Sequence, residues 1–377
     1  MRAATVAEEY KDKSNMKKLT FNSRFFRQGG RYSPQLALPD YLYDENGNPD
    51  RSAMINTFLT EEYGIVNDEA VSVSVTVEKE QEEQVAGKCK HILLRFDFQK
   101  DERVSSFPVD LFLPYAVQNP PIIVHLNFDG NVPNKYSPIE ELMDRGVGIT
   151  HIYYRAITSD DGNFENGLAA LLSDRTNPCG AGKIAVWSYA ARVVGHWLLE
   201  NGYAQTDHLY VAGHSRLGKT ALLTAALDTS FAGALVNCSG SCGAAIAREK
   251  TGETIQLICN KFPFWFTPSF SRYAEKEDTL PFDQHWLAAC VAPRKLCIVT
   301  AKEDIWADTD AQYLCAEAAS VAYERLGVKG FDQSDGFLDY GESNARGRIA
   351  FSKRIGTHFL SRDDWNFFID FIQQSDP

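Results

Sequence analysis

Ser215, His358 and Asp304 are the side chains whose types and order along the chain suit covalent chemistry. An alcohol is a weak nucleophile near neutral pH, so a serine attacking a carbonyl carbon needs a base within hydrogen-bond reach. The base in turn needs an acid that orients it. Ser215 sits in HLYVAGHSRLGKTALLTAALD, which reads as a strand, a glycine-punctuated turn and a helix. A tight turn there would raise the hydroxyl above the sheet edge and point the Arg216 backbone N–H toward a developing oxyanion at the helix N-terminus. Asp304 follows the apolar run in KLCIVTAKEDIWAD, and His358 lies in RIAFSKRIGTHFLSRDDW, between a strand and a final amphipathic helix. Spacing favours Asp304 as the acid, with Glu303 and Asp308 as alternatives. Of the eight histidines, His358 is the one in that final loop; His285, before a helix, is the reserve, and His214 lies beside Ser215 pointing elsewhere.

The segment also satisfies an unrelated pattern. Gly213, Gly218, Lys219 and Thr220 match the P-loop spacing, in which backbone amides cradle phosphates and a lysine reaches the terminal ones. Such a site also needs a magnesium-holding acid at the end of a neighbouring strand, and Asp304 lies several polar residues beyond its apolar run. The usual serine elbow has glycine two places after the serine, where this chain has Leu217; Gly218 comes one place later. A shifted glycine is a departure from the elbow, not an exclusion, whereas Ser215 as a plain helix cap is the bland alternative.

These residues must be positioned by the surrounding elements. VSVSVTV, HILLRFDF and FPVDLFLP predict antiparallel strands at the start of a sheet. PPIIVHLNF, GVGITHIYY, HLYVAGHS, AGALVNCSG and KLCIVTAKED are short, nearly continuous apolar runs, as parallel strands covered on both faces require. Helical patterns separate them, including KIAVWSYAARVVGHWLLEN, TDAQYLCAEAASVAYERLG and SRDDWNFFIDFIQQ. The alternation predicts the α/β-hydrolase fold: a three-layer α/β/α sandwich with a mostly parallel central sheet and antiparallel N-terminal strands. Residues 1–65 are expected as an N-terminal extension packed on a catalytic domain of residues 66–377.

With 377 residues, 44% of them hydrophobic, the chain can bury one large core. A net charge of −12 and a pI near 5.2 disfavour nucleic acid or an anionic membrane surface as partner. The first 21 residues are charged throughout and show no apolar h-region, which gives the expectation of a cytoplasmic protein. Eight dispersed cysteines form no CxxC pair, so neither a zinc site nor a redox motif is indicated.

Beyond these readings, residues 122–371 resemble the glucuronoyl esterases of the carbohydrate esterase class, especially their bacterial branch. The resemblance rests on HLNFDGN at 125–131, GHSRLGKTAL at 213–222, NCSGSCGAA at 237–245, TGET at 251–254, FPFWF at 262–266, LPFDQHWLAACVAPR at 280–294, EDIWAD at 303–308 and GTHFLSRDDW at 356–365. That family's elbow reads G-x-S-R-x-G-K, which accounts for the P-loop match as coincidence. It implies cleavage, without a cofactor, of the ester between 4-O-methyl-glucuronate on xylan and lignin alcohols, or of a related uronate ester. Ser215 matches the nucleophile, His358 the base, and Arg216 the residue supporting the oxyanion together with a donor from residues 127–131. Lys219, Glu253 and Trp306 match positions that hold the uronate sugar. Some members carry the acid where this chain has Cys238, and a thiol cannot orient an imidazolium as a carboxylate does, so the resemblance too assigns the role to Asp304. The substrate expected is a small-molecule or oligosaccharide ester. A sugar acetylesterase and a non-catalytic carbohydrate-binding relative are the competing readings.

Overall fold

The structure, a computed structural model, describes residues 18–20, 36–332, 334 and 337–374. A short antiparallel pair, β1 (Lys18–Thr20) with β2 (Ala37–Pro39), and helix α1 (Arg51–Glu61) precede the main sheet. Three long strands follow, β3 (Ser72–Glu83), β4 (Cys89–Lys100) and β5 (Arg103–Pro114), paired antiparallel in sequence. Strands and helices then alternate: β6 (Ile122–Asn127), α2 (Ile139–Asp144), β7 (Gly148–Tyr153), α3 (Lys183–Glu200), β8 (Leu209–His214), α4 (Arg216–Leu227), β9 (Gly233–Asn237). They continue through α5 (Ile255–Lys261), α6 (Gln284–Ala289), β10 (Lys295–Ala301), α7 (Thr309–Arg325), β11 (Ser343–Asn344), β12 (Ile349–Arg354) and α8 (Arg362–Gln373).

Among the described residues the main sheet has ten strands, in the order β11-β12-β10-β9-β8-β6-β7-β5-β4-β3. From β12 to β7 every pairing is parallel, which is the doubly wound arrangement of the α/β-hydrolase fold. Side chains alternate between two cores, as strands covered on both faces must. On β8, Leu209 and Val211 enter the core under α3 and α4, while Tyr210 and Ala212 enter the one under α2 and α8. On β10, Leu296 and Ile298 part from Cys297 and Val299 in the same way. Parallel strands place their carboxyl ends at one rim, so the loops after β8, β9, β10 and β12 converge there.

The strand expected in VSVSVTV forms as β3, paired antiparallel with β4, and it is an edge strand exposed along nearly its whole length. Its charged tail, EKEQEE, protects the open edge from pairing with another chain. Residues 36–65 share the main core: Met54, Phe58 and Tyr63 are fully buried in it. The Tyr63 hydroxyl donates to the Cys242 carbonyl at 2.8 Å and the Tyr41 hydroxyl to the Ala318 carbonyl at 2.8 Å. Residues 1–17 and 21–35 of the expected extension lie outside the described residues. Among the described residues, no helix is long and apolar enough to cross a membrane.

Candidate active site

Ser215 follows β8 and caps α4 with φ 57° and ψ −125°, a conformation that favours glycine and costs a serine about 1–3 kcal/mol. The turn is held because the Ser215 N–H donates to the Asn237 carbonyl at 2.8 Å and the Lys219 N–H to the Ser215 carbonyl at 3.1 Å. The two glycines are explained by approach rather than by any phosphate. A Cβ on Gly213 would stand 2.1 Å from the Leu217 carbonyl oxygen, and one on Gly218 would stand 3.0 Å from the Asn237 carbonyl oxygen. The first turn of α4 folds back on the end of β8, and the Leu217 side chain, where the usual elbow has glycine, is fully buried in the main core. The P-loop reading fails on the same ground: the Lys219 ammonium turns inward and is nearly fully buried.

His358 lies in the exposed loop between β12 and α8. Its Nδ1 donates to Asp304 Oδ2 at 2.6 Å, a direction fixed because an ionised carboxylate only accepts. Asp304, after β10, is buried, and its Oδ1 accepts from the Ala307 amide at 3.2 Å. Burial pushes the Asp304 carboxyl up, yet the hydrogen bond and charge of His358, the Ala307 amide and the Cys238 thiol together hold it below its ordinary value. Arg354 brackets the histidine, donating to the Thr357 carbonyl at 2.9 Å and the Phe359 carbonyl, while its Nε donates to Asp364 at 2.7 Å. Among the described residues no hydrogen bond links Ser215 Oγ to His358. The ring instead packs on His214, the residue before Ser215, with centroids 4.5 Å apart, and catalytic hydrogen bonds are often longer before substrate binds.

Geometry separates the alternatives left by spacing. Glu303 is exposed, and Asp308 caps α7, accepting from the Ala311 amide at 3.1 Å and from the Thr251 amide at 3.0 Å. His285 is buried against the N-terminal segment, bonded to the Pro39 carbonyl at 3.0 Å, and burial pulls it down to about 4. His214, beside Ser215, packs on the His358 ring. Its Nδ1 meets Asn237 Oδ1 at 2.5 Å, and burial beside His358 pulls it down to about 3, so it stays neutral. Cys238, next after β9, lies with the Asp304 carboxylate and the His358 ring, the three ligating atoms within 4.8 Å of one another. Burial pushes that thiol far up, which makes it a hydrogen-bond donor to Asp304 rather than a thiolate ligand for a metal.

The expected sugar-holding residues form a chain. Lys219 donates to the Ser239 carbonyl at 2.6 Å, the Ser241 carbonyl at 2.6 Å and Glu253 Oε2 at 2.9 Å, which occupies its three N–H groups. Glu253 Oε1 accepts from Trp306 Nε1 at 3.0 Å. Trp306 is 38% exposed, with the Lys261 ammonium 4.5 Å from its ring centre. Lys219 therefore acts on this surface through Glu253, and Trp306 is the member that faces solvent.

Arg216 lies over the rings of Trp265, Phe262 and Phe128, at 4.6, 5.1 and 5.6 Å. The amides expected from residues 127–131 turn on their own loop: Asn127 Nδ2 donates to Ser137 Oγ at 2.6 Å, and the Asp129 amide donates to Asn127 Oδ1 at 2.9 Å. A free carbonyl-binding donor is thus not supplied by the Asn127 side chain, because the loop needs it to fold. Sequence reasoning missed Asp160, which holds Arg216, and the Arg354–Asp364 pair; only the short spacing of Arg354 and Asp364 around His358 hinted at the latter.

A family model described as glucuronyl esterase of fungi matches residues 97–327. The carbohydrate esterase MZ0003, from an unknown prokaryotic organism, is 37% identical over 239 residues, covering 62% of this chain and 54% of that protein. The 4-O-methyl-glucuronoyl methylesterase of Schizophyllum commune is 38% identical over 136 residues, 33% of this chain and 35% of that one. The chain thus spans about half the length of the first of these relatives and about a third of the second. Among solved structures, a promiscuous CE15 esterase from the marine bacterial metagenome superposes with a TM-score of 0.81 at 29% identity, over 90% of this chain and 97% of that one. The glucuronoyl esterase from Solibacter usitatus gives a TM-score of 0.82 at 25% identity, over 90% and 98%. A family match over more than half of the chain, on a sheet whose rim gathers Ser215, His358 and Asp304, places this protein in the glucuronyl esterase family.

Proposed function

We propose that the protein hydrolyses esters of 4-O-methyl-glucuronate, or of a related uronate sugar, through an acyl-enzyme on Ser215. The carrying observation is the 2.6 Å bond from His358 Nδ1 to a buried Asp304, presented at the same sheet rim as the strained Ser215 turn. With Nδ1 bonded to the acid, Nε2 is the nitrogen available as base. His358 takes the Ser215 proton as Oγ bonds to the ester carbonyl carbon. The carbonyl electron pair moves onto oxygen, and Arg216 stabilises that charge. The ester C–O bond then breaks, the alcohol leaves with the proton from His358, and water releases the uronic acid by the same steps.

The relatives named 4-O-methyl-glucuronoyl methylesterases support the uronate side of this reading. Trp306 offers a flat face for a sugar ring, held by Glu253 and Lys219. The test compares methyl and benzyl glucuronates with acetylated xylose. Turnover of the glucuronates with little on the acetyl sugars is expected; the reverse order would assign the site to acetyl esters, and no turnover on either would reject the reading.

A further inference from the structure

Arg216 is one residue from Ser215, and a long, flexible guanidinium arm stabilises an oxyanion well only if it is already in place. Asp160 supplies a fixed partner. It comes from the loop after β7, two strands away from the serine's strand in the sheet, and its carboxylate is almost wholly enclosed. Oδ2 accepts from Arg216 Nη1 and, at 2.9 Å, from the Tyr154 hydroxyl; Oδ1 accepts from Trp265 Nε1 at 2.8 Å. Tyr154 in turn accepts from Arg155 Nε at 2.9 Å. The loop bearing Asp160 is itself pinned, because the buried Lys183 donates to Thr158 Oγ1 at 2.9 Å and to the Asn163 carbonyl at 2.5 Å. Trp265 thus both flanks the guanidinium and orients the carboxylate that binds it.

Arg216 Nε is buried and meets no partner among the described residues. A donor left unmatched on a charged group inside a protein is costly unless something else uses it. The aromatic flanks and Asp160 fix the guanidinium with that donor still unused.

We infer that Asp160 is the positioning residue for Arg216, holding its guanidinium in one orientation beside Ser215 before the ester binds. The inference rests on the esterase reading of Ser215. Asp160→Asn keeps the shape and removes the charge. It is expected to lower kcat by about 10- to 10²-fold, the scale of a small misplacement at a reacting centre, with KM little changed. In an Arg216→Met background the same substitution should cost nothing further, because its effect passes through the guanidinium. An equal loss in both backgrounds, or a loss confined to KM, would overturn the inference. Should Asp160→Asn fail to fold, Trp265→Phe, which deletes the bond to Oδ1, must show a smaller kcat loss that also vanishes without Arg216; an unchanged kcat would overturn it. Wild-type protein without turnover on any ester would reject the esterase reading and the inference with it, whereas active wild type with an unaffected Asp160→Asn rejects the inference alone.

Discussion

Asp304 receives three kinds of donor: the His358 ring, the Ala307 amide and the Cys238 thiol. The last two add to the hold of His358 on the carboxylate and fix its direction, which suits an acid that orients an imidazole. Asp304→Asn should therefore leave the protein folded and lower kcat by about 10⁴-fold, since the amide can stabilise the wrong imidazole tautomer. Glu303→Gln should stay within about twofold of wild type, as a surface change away from any packed feature. Ester turnover and thermal melting of the two variants check both statements; a deep loss in Glu303→Gln would mean that the wrong acid is assigned. The triad candidates could be read from order along the chain, because the fold fixes which loops meet. Asp160 could not. Its segment, SDDGNFENG, has the composition of a solvated loop, and only the distant Lys183 and Trp265 make one of its acids a buried anchor.

At the scale of elements, the turn between β8 and α4 is set by how closely the helix passes the strand. Gly213→Ala places a methyl 2.1 Å from the Leu217 carbonyl oxygen, so the helix must move. A loss of about 1–3 kcal/mol is expected, together with most of the turnover, since Ser215 lies on the segment that shifts. Gly162→Ala, whose added Cβ meets open space, serves as the control and should change stability little. Urea melts of both variants decide it; a neutral Gly213→Ala would show that the close approach does not hold the turn. The parallel strands were legible because burial on both faces leaves continuous apolar runs. For β3, alternation marks an extended strand without saying whether anything covers it, and both of its faces are largely exposed. Local polar pairing was also illegible: nothing in HLNFDGN announces that its side-chain amide folds back on Ser137.

For the whole molecule, the contact between the segment before residue 65 and the main core carries a buried acid. Glu62 is enclosed, accepts from Gln284 Nε2 at 2.8 Å, and is pushed by burial from 4.5 to about 7. Its folded pKa lies above the unfolded one, so its contribution to stability is complete below pH 4.5, falls as the unfolded chain ionises, and is gone once pH passes about 7. Glu62→Gln removes that dependence. The stability of the variant relative to wild type should rise by roughly 3 kcal/mol between those limits, measured by denaturant melts at several pH values; a constant difference would contradict it. All of this positions one hydroxyl, and the most direct test is to treat wild-type and Ser215→Ala protein with a fluorophosphonate, map the adduct by mass spectrometry, and assay both on benzyl glucuronate. The account predicts a single adduct on Ser215 in wild type, none in the variant, and loss of turnover with it. An adduct on another residue, or undiminished turnover in Ser215→Ala, would contradict it.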